Sequence, residues 1–161
     1  HWGLEFELFP HPDQLSWAHS FAEAGADIII GHHPHVPQPM EFYRTRRDPY
    51  RIVPIFYSLG NLTPVMSSAA TVLSLIGRLT LAKGSYKGTS KTYVADVDLN
   101  PAAIVSTTEK GVYGLRLMKV ANLCRMPLDM EMSSYVSDIA SYVDLVLGKT
   151  WRDDLPKKQA S

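Results

Sequence analysis

Apolar residues follow two different patterns, one after the other, between residues 13 and 31. In residues 13–24 they recur near every 3.6 positions, which predicts an amphipathic helix that begins after Pro12 and ends at Gly25. Residues 27–31 then form a short β-branched run, which predicts a buried, parallel strand. A helix followed by such a strand is half of a βαβ unit, and its other strand would lie before His1. The predicted helical stripe consists of Leu15, Trp17, Ala18, Phe21 and Ala22.

Beyond residue 36 the pattern predicts mainly strands, followed by one last helix. Residues 37–51 are polar and contain prolines, which is typical of a loop, and residues 52–59 form a second apolar run. Turn residues separate four further strand-like segments, which indicates antiparallel pairing. These segments are residues 71–81, 92–99, 103–108 and 112–120.

The last predicted helix ends at Gly148, and we expect the polar tail after residue 150 to fray. Its apolar face consists of Tyr135, Val136, Ile139, Tyr142, Val143, Val146 and Leu147.

Composition narrows the class of protein only in part. The 161 residues are 45% hydrophobic and 20% charged, which is ordinary for a globular domain. Sixteen basic and sixteen acidic residues balance, so no charged surface of the kind that binds nucleic acid is expected. Cys124 is the single cysteine, which excludes an intrachain disulfide and a zinc cluster of thiolates. No uncharged apolar stretch reaches the roughly 18 residues that a membrane span needs.

Three of the six histidines lie within residues 32–35, directly after the predicted parallel strand. Ligands of open α/β sheets bind beyond the carboxyl ends of the strands. His33 and His35 flank Pro34, and two imidazoles at positions i and i+2 of an extended backbone point to the same side. Neutral imidazole suits zinc, iron or manganese. The cluster therefore predicts a metal or phosphate site, against the alternative of a polar loop that is rich in histidine.

The other histidines carry weaker signals. His32 is open to three interpretations: a ligand, a substrate contact, or an inward-facing support for its neighbours. His1 could supply a third imidazole, which with His33 and His35 would be enough for one zinc ion with an open position. His11 and His19 have no such context, and the surface is the expected place for both.

With these residues in view, the chain resembles the bacterial capsule-synthesis CapA family, also called the poly-gamma-glutamate synthesis family. The likeness is close over residues 1 to about 62 and weaker over residues 71 to about 105. Four segments carry it in order: His1-Trp2-Gly3 with Glu5; Ala24-Gly25-Ala26-Asp27-Ile28-Ile29-Ile30-Gly31; His32-His33-Pro34-His35-Val36 with Gln38 and Glu41; and Tyr57-Ser58-Leu59-Gly60-Asn61.

The resemblance implies a fold and a set of site residues. The family is similar to calcineurin-like metallophosphoesterases, α/β proteins with a four-layer α-β-β-α sandwich, of which the N-terminal half would be missing here. Residues 1–122 would form the C-terminal part of that domain, and residues 123–161 a C-terminal helix and tail. The resemblance assigns three metal ligands, His1, His33 and His35. It assigns contacts with substrate, or hydrogen-bonded support of the ligands, to His32, Glu5 and Asn61. The cofactor would be divalent manganese, zinc or iron, with two ions in the full-length protein.

The departures from the family pattern leave two functions open. The Asp-x-His, Gly-Asp and Asn-His motifs of such enzymes, which include the general acid, are not found in this chain, so we expect it to be inactive alone. One function is a metal-dependent hydrolase of capsule or poly-gamma-glutamate biosynthesis that acts on a phosphoester or an anionic polymer. The other is a non-catalytic component that binds the polymer or a synthase partner, with a vestigial metal site. Either would act at the extracytoplasmic face of the bacterial cell envelope.

Overall fold

The computed structural model describes residues 1–62, 67–86, 88–109 and 111–154. Within these ranges the chain forms an α/β structure with two three-stranded sheets. A 3₁₀ helix, Thr150–Asp154, follows the last α-helix. The elements in chain order are α1 (Pro12–Ala24), β1 (Ile29–Ile30), β2 (Met40–Arg44), β3 (Ile52–Phe56), α2 (Ala69–Val72), β4 (Leu73–Tyr86), β5 (Thr89–Glu109), β6 (Val112–Lys119), α3 (Val120–Leu123) and α4 (Met130–Leu147).

The first sheet has the strand order β1-β3-β2. Its β1 and β3 are parallel, as the apolar runs predicted, with Ile29 opposite Ile55. The predicted loop over residues 37–51 is wrong for β2, which pairs antiparallel with β3 from Met40 to Arg44. Prolines stand before and after these five residues but not within them, so no residue of β2 lacks a backbone N–H.

Helix α1 confirms the predicted helix to within one residue. The His11 side chain accepts a hydrogen bond from the backbone N–H of Asp13, and Gly25 ends the helix with a φ of 120°. Two of the predicted apolar residues, Trp17 and Phe21, are exposed, whereas Ala18 and Ala22 of the same helix are buried. The α1 core, as we call it, consists of Ala18, Ala22, Ile29, Val53, Ile55 and Tyr57.

The second sheet has the order β4-β5-β6 and is antiparallel, as predicted. The predicted strands 92–99 and 103–108 are one continuous strand, β5. Pro101 does not interrupt it, because Pro101 pairs with Leu75 of β4 while the pairing with β6 stops at Ala102. A proline is tolerated where a strand has a neighbour on a single side. The first two residues of the predicted strand 71–81 belong instead to helix α2.

Helix α4 confirms the predicted C-terminal helix and covers one face of the second sheet. Five of its seven predicted apolar residues are buried and the other two are half-buried. The prediction of a frayed tail is wrong just after residue 150, because Trp151 is buried and Arg152 pairs with Asp144 of α4 at 2.7 Å. Residues 155–161 lie outside the described part of the chain. The α4 core, as we call it, consists of Val36, Val72, Leu73, Leu75, Ala103, Val120, Leu123, Val136, Ile139, Ala140, Tyr142, Val143, Val146 and Trp151.

The α/β class is therefore confirmed, with α1 packed on one sheet and α4 on the other. The four-layer sandwich and the division of the chain after residue 122 stay predictions. Among the helices of the described residues, none is long and apolar enough to cross a membrane.

Candidate metal centre

The N-terminal segment, residues 1–6, lies along residues 32–39, which follow Gly31 and which we call the histidine loop. The backbone N–H of Trp2 donates to the carbonyl of His32 at 3.0 Å, and that of Phe6 donates to the carbonyl of Pro34 at 2.8 Å. The indole of Trp2 donates to the carbonyl of Tyr57 at 2.9 Å. This packing requires Gly31, since a Cβ there would lie 2.2 Å from the indole nitrogen and 2.4 Å from the Tyr57 oxygen. The arrangement brings the residues around Trp2 next to the end of β1.

Three potential ligands meet at this point. One ligand atom each from Glu5, His33 and His35 lies within 4.8 Å of the others. The Nε2 atom of His35 is 4.0 Å from a carboxylate oxygen of Glu5, and both side chains are about half exposed. Two imidazoles and one carboxylate form a donor set that suits manganese, iron or zinc, so the residues fit the divalent ion that the resemblance implies.

The structure places the remaining predicted site residues at different distances from this cluster. The ring of His1 packs against that of His33, with 4.1 Å between centroids, but His1 is outside the group of three ligand atoms. His32 is exposed, and its described contact is the backbone carbonyl that receives Trp2. Glu5 was predicted to contact substrate or to support the ligands, and the structure places a carboxylate oxygen of Glu5 within 4.8 Å of the ligand atoms of His33 and His35.

Asn61 holds the ring and the backbone of His35 together. Its Oδ1 lies 2.9 Å from Nδ1 of His35, and its Nδ2 donates to the carbonyls of His35 and Thr71 at 2.9 and 3.2 Å. Because both hydrogens of the amide point to carbonyls, Oδ1 accepts and Nδ1 of His35 carries the proton. Nε2 then keeps its lone pair and faces Glu5, which is the tautomer that a metal ligand needs.

The histidine loop has a backbone conformation that the sequence did not suggest. We expected extended backbone, but His33 and His35 have φ values of 116° and 61°, and Phe6 beside them has 65°. Positive φ values strain residues other than glycine, and such strain persists only where the surroundings hold it. The hydrogen bonds from Phe6 and Asn61 to the loop carbonyls supply that restraint.

A second polar network lies beside the site and was missed from the sequence. His19 was expected at the surface, but its Nε2 lies 2.9 Å and 3.0 Å from the two carboxylate oxygens of Glu41. The hydroxyl of Tyr57 donates to the same carboxylate at 2.7 Å, and burial together with Glu41 raises the pKa of Tyr57. This network ties α1 to β2 and to the residue whose carbonyl holds Trp2.

Comparisons with known proteins match the N-terminal part of the chain. A family model described as bacterial capsule synthesis protein PGA_cap matches residues 1–64. The PGA biosynthesis protein CapA of Bacillus subtilis (strain 168) is 37% identical over 102 residues, which cover 63% of this chain and 24% of that protein. The capsule biosynthesis protein CapA of Bacillus anthracis is 48% identical over 61 residues, which cover 38% of this chain and 13% of that protein.

A probable polyglutamine synthesis accessory protein of Mycobacterium tuberculosis is 34% identical over 62 residues, which cover 38% of this chain and 14% of that protein. The chain thus spans about a quarter or less of the curated relatives that it matches. No solved structure gives a significant match. All the residues of the cluster, and Asn61 that orients it, fall within the matched segment. Over residues 1–64, the chain is therefore similar to the family of bacterial capsule synthesis proteins.

Proposed function

We propose that this chain carries part of the divalent metal site of a hydrolase that acts in capsule or poly-gamma-glutamate biosynthesis. The observation that carries the proposal is the convergence of Glu5, His33 and His35, whose ligand atoms lie within 4.8 Å of one another. The names of the Bacillus relatives supply the biosynthetic context. The site would then act at the extracytoplasmic face of the cell envelope, where a capsule is assembled.

The chemistry of the cluster supports a phosphoester or another anionic substrate. A divalent ion bound there would supply a Lewis acid that neutralises charge on a phosphoryl oxygen. The chain itself holds the imidazole of His35 in the metal-binding tautomer through Asn61. The half-exposed side chains of Glu5 and His35 leave the cluster open to solvent, so a substrate can reach it.

Further ligands would come from a segment before His1, as the family resemblance implies. On this view the complete protein holds two ions of manganese, zinc or iron. We expect the chain alone to bind one ion. We expect its rate of hydrolysis of a chromogenic phosphomonoester to equal the rate in buffer without protein.

A second function is favoured by a different observation. Large apolar side chains close to the cluster are exposed, among them Leu4, Phe6 and Leu62 at 59%, 45% and 69%. Exposed apolar groups around a site favour association with another protein surface. The alternative is therefore a non-catalytic component that docks onto a synthase partner or holds the anionic polymer, with a vestigial metal site.

Metal content measured by plasma mass spectrometry tests the proposal. The chain is loaded with zinc or manganese, passed through a desalting column, and compared with a His33→Ala/His35→Ala double variant. We expect close to one ion per chain in the first and none in the second. His32→Ala is the matched control, because this exposed histidine of the same loop lies outside the cluster and its loss leaves the ion in place.

Two single variants identify the third ligand, and the metal content of the parent chain separates the two functions. A Glu5→Gln variant that loses the ion while His1→Ala keeps it assigns the third ligand to the carboxylate, and the reverse result assigns it to His1. A folded parent chain that takes up no ion after loading contradicts the proposal. Binding of poly-gamma-glutamate by that metal-free chain would then favour the non-catalytic component.

A further inference from the structure

The loop that carries the histidines has few backbone donors of its own. Pro34, Pro37 and Pro39 have no N–H, so this loop cannot be fixed by donating hydrogen bonds at those positions. Apart from the N–H of Gln38, which donates to the carbonyl of Ser58 at 3.0 Å, the loop is held through its carbonyl oxygens. The carbonyl of Pro34 receives Phe6, that of His35 receives Asn61, and that of Pro37 receives a side chain from the far end of the chain.

That third donor is Tyr142 of α4. Its hydroxyl donates to the carbonyl of Pro37 at 2.8 Å in a fully buried hydrogen bond between residues 105 positions apart. Tyr142 is 9% exposed, and burial raises its pKa, which keeps the phenol protonated and able to donate across the neutral range. Pro37 is two residues from His35, so this bond, together with the one from the Gln38 N–H to the Ser58 carbonyl, fixes the exit of the loop as Asn61 fixes its centre.

Packing reinforces the same contact. Val36, which lies between His35 and Pro37, is 1% exposed and belongs to the α4 core. The loop therefore meets α4 through one buried side chain and one buried hydrogen bond. Because His35 has a φ of 61°, it needs surroundings that hold this conformation, and α4 supplies part of them.

We propose that Tyr142 is a positioning residue of the metal site, through which the C-terminal helix α4 holds His35 in its metal-binding arrangement. The effect on metal binding rests on the proposed function, whereas the effect on the orientation of the His35 imidazole does not. The positioning role of Tyr142 also gives α4, which lies outside residues 1–64 of the family match, a role in that site.

The test compares two variants of the full 161-residue chain that each lose one tyrosine hydroxyl from α4. Tyr142→Phe removes the donor to Pro37. Tyr135→Phe removes a hydrogen bond of 2.7 Å to the carbonyl of Ser67, outside the histidine loop, and is the matched control. Zinc affinity is measured by competition with a chromogenic chelator. We expect Tyr142→Phe to bind zinc about tenfold more weakly than the parent, which is the smallest effect usual for residues that hydrogen-bond metal ligands. We expect Tyr135→Phe to bind zinc with the affinity of the parent.

A second readout needs no metal. Long-range ¹H–¹⁵N spectra of the metal-free chains, with His35 assigned from a His35→Ala variant, report which ring nitrogen carries the proton. We expect the Nδ1–H tautomer in the parent and in Tyr135→Phe, and averaged tautomers in Tyr142→Phe. A merely structural role of the hydroxyl would lower the unfolding temperature without changing these signals.

The two readouts keep the two proposals apart. If the parent binds no zinc but Tyr142→Phe alone averages the His35 tautomers, the proposed function fails and the positioning role stands. The inference is overturned if Tyr142→Phe keeps both the affinity and the spectra of the parent. It is equally overturned if both variants lose affinity to the same extent, because the cause would then be a general loosening of α4.

Discussion

Replacement of Asn61 by alanine tests the site most directly. The variant loses one hydrogen bond from Nδ1 of His35 and two to the carbonyls of His35 and Thr71. At about 1 kcal/mol for each bond between partly buried groups, we expect the free energy of unfolding to fall by roughly 2–3 kcal/mol. Metal affinity should fall by roughly 10–100-fold, because the imidazole loses the partner that sets its tautomer.

Asn61→Asp separates these two effects. A carboxylate still accepts from Nδ1 of His35 but cannot donate to the two carbonyls, so the variant should lose stability and keep its metal affinity at neutral pH. Urea unfolding gives the stability, and competition with a chromogenic chelator gives the affinity. Asn122→Ala, at an exposed position of α3, is the control and should change neither quantity. Parent-like metal affinity in a folded Asn61→Ala chain would refute the assignment of Asn61 as the partner that orients His35.

Two further predictions concern the support of the fold. Gly31→Ala places a Cβ 2.2 Å from the indole of Trp2, so we expect a loss of at least about 2 kcal/mol in urea unfolding; Gly77→Ala, whose Cβ meets its nearest atom at 3.4 Å, should cost less than about 1 kcal/mol, and equal losses would contradict the steric reason. Arg152 lowers the pKa of Asp144, so their bond stabilises the fold above the ordinary Asp pKa and the stabilisation disappears as pH falls through the lowered pKa. Asp144→Asn should therefore be less stable than the parent at pH 7 and approach it toward pH 3, and a difference that is independent of pH would argue against the ion pair.

Local periodicity was enough to predict α1, α4 and the antiparallel second sheet. Helix α4 and the antiparallel order of the second sheet follow from the spacing of apolar residues, which acts over a few positions. Strand β2 escaped prediction because its five residues are half-buried or exposed and lie among prolines, so only the presence of β3 beside them makes them a strand.

The site was predictable as a cluster of histidines but not as a geometry. Three imidazoles near the end of a strand pointed to the place, and the structure brings His33 and His35 together there. The position of Glu5 depends on hydrogen bonds between segments about 30 residues apart, and that of Tyr142 on one spanning 105 residues. Spacing within a motif carries no information on such contacts, so the carboxylate of Glu5 was assigned to substrate contact or to support of the ligands, and the contact with α4 was not foreseen.

The position of the loop between two separate hydrophobic cores has a thermodynamic consequence. Trp2, which holds the N-terminal segment, packs against the α1 core, whereas Val36 of the histidine loop belongs to the α4 core. An ion bound jointly by Glu5 and His35 would be lost when either core unfolds. The stabilisation that binding adds, about 2.7 kcal/mol when the free ion is at a hundredfold excess over Kd, therefore acts on both cores and makes their unfolding more cooperative.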